Sequence, residues 1–189
     1  AFNALSNKTI YGYAFSSPTL TGTGDITLAP ITVNMSKNYD GSTSFSSATN
    51  AYTIGGIVAG DVVTLTGGAT VSSPNATTYH SLASNTFGIT SDKYTLTGAT
   101  YNMTVDKMPL VVSVRATYNG STNLVPTSVS VSGLINGETM VPTAVVAQSA
   151  NVASNGNNFM TAITASTGTA DFNNYSITVA NSPVTIDRK

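Results

Sequence analysis

Seven Lys or Arg, eight Asp or Glu and a single histidine are the ionic chemistry available in 189 residues, and cysteine is absent. Disulfides and thiolate metal sites are therefore excluded. His80 is the only candidate general base of its kind, and a Ser-His-acid set needs a second, oriented partner that nothing near it supplies. It reads as a partly exposed loop residue following Tyr79. No Gly-x-Ser-x-Gly elbow occurs, and no glycine loop ends in Lys-Ser or Lys-Thr to cradle a phosphate. A glycosidase pair of glutamates is ruled out by the single Glu, although two Asp could substitute. The chain reads as a non-enzyme that needs no cofactor. What remains is a set of acids in recurring company: Tyr39-Asp40-Gly41, Gly60-Asp61 and Gly137-Glu138, with Tyr118-Asn119-Gly120 as an amide counterpart.

That company is explained by an internal repeat. Pro30-Ile31-Thr32-Val33 returns as Pro109-Leu110-Val111-Val112, and Tyr39-Asp40-Gly41-Ser42-Thr43 as Tyr118-Asn119-Gly120-Ser121-Thr122, both 79 residues on. Gly55-Gly56-Ile57-Val58-Ala59-Gly60-Asp61 matches Ser132-Gly133-Leu134-Ile135-Asn136-Gly137-Glu138 at an offset of 77. Tyr94-Thr95-Leu96 and Thr104-Val105-Asp106-Lys107 match Tyr175-Ser176-Ile177 and Thr185-Ile186-Asp187-Arg188 at 81. Small drifts of this kind fit changes in loop length. The reading is an N-terminal segment over 1–29, a first repeat domain over 30–108 and a second over 109–189. Residues 1–29 are either the tail of a preceding element or extra strands of the first domain. With Met108 alone between the repeats, a stiff tandem array is expected, not beads on a flexible string.

Within each repeat the apolar period is two. Ile31, Val33 and Met35 alternate with Thr32, Asn34 and Ser36, and Val129 and Val131 alternate with Ser128, Ser130 and Ser132. β-branched residues dominate, and Gly, Asn, Asp and Pro punctuate the runs. The expected fold is all-β: two tandem small β-sandwiches of Ig-like kind. A β-grasp-like variant is the alternative if the alanine-rich stretch 139–153 forms a helix. Asp-Gly and Asn-Gly after an alternating strand suit a tight turn with positive φ at both central positions. The preceding tyrosine is expected to lay its ring on the sheet and reach a backbone group with its hydroxyl. Gly60-Asp61 and Gly137-Glu138 read as a second turn whose acid accepts backbone N–H groups or caps the turn. Calcium is the sharper use for these acids, but it needs six to eight oxygens. Asp40 gives way to Asn119, Asp92 to Asn173, and no Asp-x-Asp-x-Asp run occurs. No metal site is expected.

Charged residues make up 8% of the chain against about 25% in an average domain. Serine and threonine fill the gap, 23 and 31 of them, with 18 asparagines. A net charge of −1 excludes the basic footprint of a nucleic-acid binder, and 41% hydrophobic residues exclude disorder. The longest uncharged stretch, 139–170, is broken by Gln148 and four asparagines, so no segment reads as a membrane span. The first residues show no charged-then-apolar leader, and the chain reads as part of something longer. Six Asn-x-Ser/Thr sequons are no excess over the roughly five that composition alone supplies.

Lys37-Asn38-Tyr39-Asp40-Gly41-Ser42-Thr43, then Ile54-Gly55-Gly56-Ile57-Val58-Ala59-Gly60-Asp61, then Lys93-Tyr94-Thr95-Leu96 resembles the YDG-type repeat of large bacterial adhesins of the filamentous-haemagglutinin, two-partner-secretion kind. The second repeat is a divergent copy, with Asn119 where the family pattern has Asp. The resemblance covers about 30–189. It implies an extracellular, cell-surface array that projects a binding tip, with neighbouring repeats of the same chain as its partners and a monomeric state. The alternative function is a module that itself binds a host-surface glycan or protein. Tyr11, Tyr13, Tyr52, Tyr79 and Tyr101, unmatched between the repeats, are its candidate contact aromatics.

Overall fold

The computed structural model describes residues 26–178 and 181–189, and the fold is all-β with several sheets. The first repeat contributes β1 (Ala29–Asn38), β2 (Ser44–Ser46), β3 (Ala51–Gly55), β4 (Thr64–Thr66), β5 (Gly68–Thr70), β6 (Thr78–Tyr79), β7 (Ser84–Asn85), β8 (Gly88–Thr90) and β9 (Tyr94–Asp106). The second contributes β10 (Met108–Thr117), β11 (Asn123–Leu124), β12 (Pro126–Ser132), β13 (Met140–Ala147), β14 (Met160–Gly168), β15 (Tyr175–Ile177) and β16 (Val184–Asp187). Residues 26–28 carry no strand, and Ala29 already belongs to β1. The rest of the N-terminal segment, with Tyr11 and Tyr13, lies outside the described residues. The stretch 139–153 is the strand β13 followed by a short 3₁₀ turn over Val152–Ser154, not an α-helix. Its valines outweigh its alanines once β14 is there to pair with.

Alternation does what it predicts. On β1, Ile31, Val33 and Met35 are buried, while Thr32 and Asn34 are half-buried and Ser36 is exposed. β1 is the hub of its sheet: it runs antiparallel to β3 and parallel to β9, in the order β3-β1-β9-β6. β10 repeats the arrangement, antiparallel to β12 and parallel to β15 and β16. The registers correspond. Ala29 opposes Tyr94 as Met108 opposes Tyr175, and Asn38 opposes Asp106 as Thr117 opposes Asp187. β9 is continuous across a register shift between Pro30 and Thr32, whereas at the equivalent point β15 and β16 are separate strands.

A parallel neighbour cannot be reached by a tight turn, so each repeat spends its middle on a long crossover. Those crossovers hold the smaller sheets β2-β5-β7, β4-β8 and β11-β13-β14. Among the described residues every strand pairing falls within 29–106 or within 108–187. Only Lys107 separates β9 from β10. The buried side chains nevertheless form one continuous apolar cluster reaching from Ile31 through Tyr39 and Tyr175 to Ile186. No helix among the described residues is long and apolar enough to cross a membrane.

Leu110, fully buried on β10, is a direct test of this core. Leu110→Ala is expected to lower unfolding free energy by about 2–5 kcal/mol in urea titrations, whereas Val125→Thr, at an exposed site, changes it by about 0.5 kcal/mol or less.

Candidate functional site

Each repeat raises one acid on a tight turn. The Glu138 N–H donates to the Ile135 carbonyl at 2.9 Å, and the Asp61 N–H to the Val58 carbonyl at 3.0 Å. Asn136 (φ 51°) and Gly137 (φ 72°) give the second turn positive φ at both central positions. In the first turn only Gly60 (φ 95°) is left-handed, the type II pattern. Above each turn stands the tyrosine that opens the parallel strand. The Tyr94 hydroxyl donates to Asp61 Oδ2 at 2.7 Å and accepts the Val58 N–H at 2.8 Å. The Tyr175 hydroxyl donates to Glu138 Oε2 at 2.6 Å and accepts the Ile135 N–H at 3.4 Å. One phenol thus ties the turn's backbone to the turn's own acid, in both repeats. The acids accept no backbone N–H, contrary to expectation, because the phenol lies closer to hand.

The second carboxylate oxygen distinguishes the repeats. Asp61 Oδ1 takes the exposed Lys93 ammonium at 2.7 Å. Glu138 Oε1 takes the hydroxyl of Tyr39, from the other repeat, at 2.7 Å. The expected backbone partner for Tyr39 is therefore wrong: its ring crosses to the second repeat and meets Tyr175 edge-on, centroids 5.5 Å apart at 82°. Three further bonds cross the same boundary, one of them from the Asn174 amide to Asn75 Oδ1 at 3.2 Å. Asn136 Nδ2 donates to the Asp40 carbonyl at 2.9 Å, and buried Asn174 accepts the Ala76 N–H through Oδ1 at 2.7 Å. A Cβ on Gly41 would run into the Asn136 amide, so the close approach requires glycine there.

Asp40 and Asn119 are not the left-handed turn residues expected, since only Gly41 (φ 72°) and Gly120 (φ 76°) in those motifs have positive φ. Both use the side chain instead, accepting the N–H two residues on: Ser42 to Asp40 at 2.8 Å and Ser121 to Asn119 at 2.9 Å. The Asp-to-Asn exchange has a partner. Buried Lys37 donates to Asp40 Oδ1 and to the Ser42 carbonyl, both at 2.7 Å, and lies 5.1 Å above the Phe45 ring. The position 79 residues on holds Ala116, so no cation needs neutralising and Asn119 turns its amide to the Asn123 carbonyl at 2.9 Å.

The unmatched tyrosines among the described residues, Tyr52, Tyr79 and Tyr101, are occupied within their own repeat. The Tyr79 hydroxyl donates to the Asn75 carbonyl at 2.8 Å, and Tyr101 stacks on Phe87 at 6.2 Å and accepts from Asn85. Tyr52 accepts the Leu65 N–H at 3.4 Å. His80 Nδ1 lies 2.7 Å from Asn102 Oδ1 on the surface. Among the described residues no three His, Asp or Glu side chains come together as a metal would require. Tyr94, Asn136, Asn174 and Tyr175 did not stand out as site residues in the sequence. Their signal was there, because Tyr94 and Tyr175 recur together with Asp61 and Glu138 in both repeats. No protein-family model, curated protein or solved structure matches the chain.

Burial first, and then the Glu138 carboxylate beside them, push the Tyr39 and Tyr175 phenols up to about 12. Hydrogen bonds from Lys93 and then Tyr94 hold Asp61 below the usual carboxylate range. With both oxygens engaged by phenols, Glu138 is built to hold two elements together, not to move a proton. Tyrosine in an unfolded chain ionises near 10. The stability these phenols provide is thus complete below about pH 10 and is lost as pH rises through about 12. Phenolate absorbance should resolve two late-titrating tyrosines, and Glu138→Gln should bring both down. Glu138→Gln should also cost about 1–3 kcal/mol, with Tyr39→Phe costing much less in that background than alone.

Proposed function

We propose that this chain is a rigid spacer segment of an extracellular bacterial adhesin, a tandem pair of repeat domains that projects a binding region from the cell surface. The YDG-type resemblance supplies the setting. The observation that carries the mechanical part is the joint: Tyr39, Glu138 and Tyr175 lock the repeats across a connection of one residue. A spacer must transmit direction, and direction is kept when each repeat's turn motif is a hydrogen-bonding partner of the next. The engagement of Tyr52, Tyr79 and Tyr101 within their own repeat favours this reading over a direct glycan- or host-protein-binding module. The parallel pairing of each repeat's first and last strands suits either small β-domain, and among the described residues the grasp-like alternative lacks the helix over 139–153 on which it depended.

Small-angle scattering on the wild-type chain should give a single rigid, elongated particle. The double variant Tyr39→Phe with Glu138→Gln should give the broadened profile of two bodies on a hinge, with each repeat still folded by NMR. Independent tumbling of the two repeats in the wild type would overturn the spacer reading.

A further inference from the structure

The joint between the repeats has two halves, and each half occurs a second time, facing outward. The outward tyrosine is Tyr118. Its N–H donates to the Asp187 carbonyl at 2.9 Å, just as the Tyr39 N–H donates to the Asp106 carbonyl at 2.8 Å. The two are held alike by their own repeats, yet Tyr39 is 6% exposed and Tyr118 is 40% exposed. The difference is the second repeat that covers Tyr39. Gly120 shows the same contrast: Gly41 is pressed against Asn136, while the space around Gly120 is open.

The outward carboxylate is Asp61, clamped by Tyr94 as Glu138 is by Tyr175. Around it lie apolar side chains that no other described residue covers. Val58 is 68% exposed and Val62 86%, whereas Ile135, at the Val58 position of the second repeat, is partly buried against the core under the joint. Leu28, Val58, Asp61, Lys93 and Tyr94 line a hollow of about 440 Å³. Its Lys93 stands where the second repeat has Asn174, the residue that reaches across to Ala76. The hollow therefore sits where the preceding repeat sits in the internal joint.

We propose that these two ends are complementary, and that the Tyr118 end of one chain docks on the Asp61 end of a second copy, head to tail. The Tyr118 hydroxyl donates to the Asp61 carboxylate beside Lys93, and its ring meets Tyr94 edge-on. A carboxylate has lone pairs enough for two phenols and an ammonium together, and the exposed Lys93 pair is too weak to bar entry. The contact is weaker than the internal joint, because Ala59 stands where Asn136 reaches the Asp40 carbonyl. The two halves are different surfaces, so the association is heterologous, and it propagates as a filament unless its rotation closes a ring. This goes beyond the spacer reading and can fail without it, since a rigid chain need not self-associate.

Within one chain the tether supplies an effective concentration of about millimolar, so the free contact must be sought at that level. The test is a dilution series of the full chain from about 20 μM to about 1 mM, followed by amide NMR and sedimentation velocity. Amides at 118–120 and at 58–61 with 93–94 should shift together along one isotherm, with sedimentation rising in step. Tyr118→Phe, an exposed change that leaves the fold intact, should weaken that isotherm about tenfold, and Asp61→Asn should do the same. The proposal is overturned if no amide shifts up to about 1 mM, if only one of the two ends responds, or if Tyr118→Phe leaves the isotherm unchanged. Coverage of the Asp61 end by residues 1–25 of the same chain would give the first of these outcomes and would sink it equally.

Discussion

A carboxylate partly withdrawn from water needs donors, and Glu138 finds two phenols on opposite sides of a domain boundary. The rest of the molecule is arranged around that requirement. Tyr175 can reach Glu138 only because β15 starts where it pairs with β10, at Met108, two residues past the end of β9. Tyr39 can reach it only because β1 ends beside Asp106, which brings the end of the first sheet to the start of the second. Parallel pairing of first and last strands is thus more than a topological detail. It places a repeat's entry and exit at opposite ends, so that the exit of one carries its tyrosine to the entry of the next.

The same logic explains how charge is rationed. A chain with 8% charged residues does not scatter them over its surface. Lys37 and Asp40 are kept as a pair in the first repeat and lost as a pair in the second, where Ala116 and Asn119 stand. Losing one alone would strand either a buried ammonium or an acid without its cation. Asp61 and Glu138 persist because a phenol waits for each. Asp106 and Asp187 recur in sequence for a different reason: their backbone carbonyls anchor Tyr39 and Tyr118, and the Asp187 side chain pairs with Arg115 at 2.7 Å. Recurrence of a residue type is therefore not evidence of one role.

Much of this was legible from residues alone, and the limits have physical causes. Period-two alternation identified β1 and β12 and their inward faces, because one-sided burial leaves that mark on a sequence. The internal repeat showed in advance which positions were equivalent, and the strand registers follow the same correspondence. What alternation cannot carry is direction: a strand buried on one face looks alike whether its neighbour runs parallel or antiparallel. The turn motifs misled in a related way. Asp-Gly suits positive φ at two positions, but Asp40 and Asn119 gain more from accepting an N–H two residues on. The double left-handed turn appears instead at Asn136-Gly137. The joint itself was invisible, since Tyr39 and Glu138 are 99 residues apart and nothing local declares that a tyrosine serves the next domain.

Scarcity of charge leaves open strand edges with few of the lysines that usually discourage lateral pairing. β12 exposes Ser128, Ser130 and Ser132 and starts at Pro126, which has no N–H to offer another chain. Its pairing with β10 shifts register between Arg115 and Ala116, and β13 shifts three times against β14, once at Pro142. Such irregularities twist an edge away from a flat template. Sideways association is thereby made poor by backbone shape. The two ends carry an exposed tyrosine, Tyr118, and a carboxylate, Asp61, beside the exposed Val58 and Val62. With lateral pairing disfavoured by backbone shape, contact at the ends is the association that the strand edges leave open.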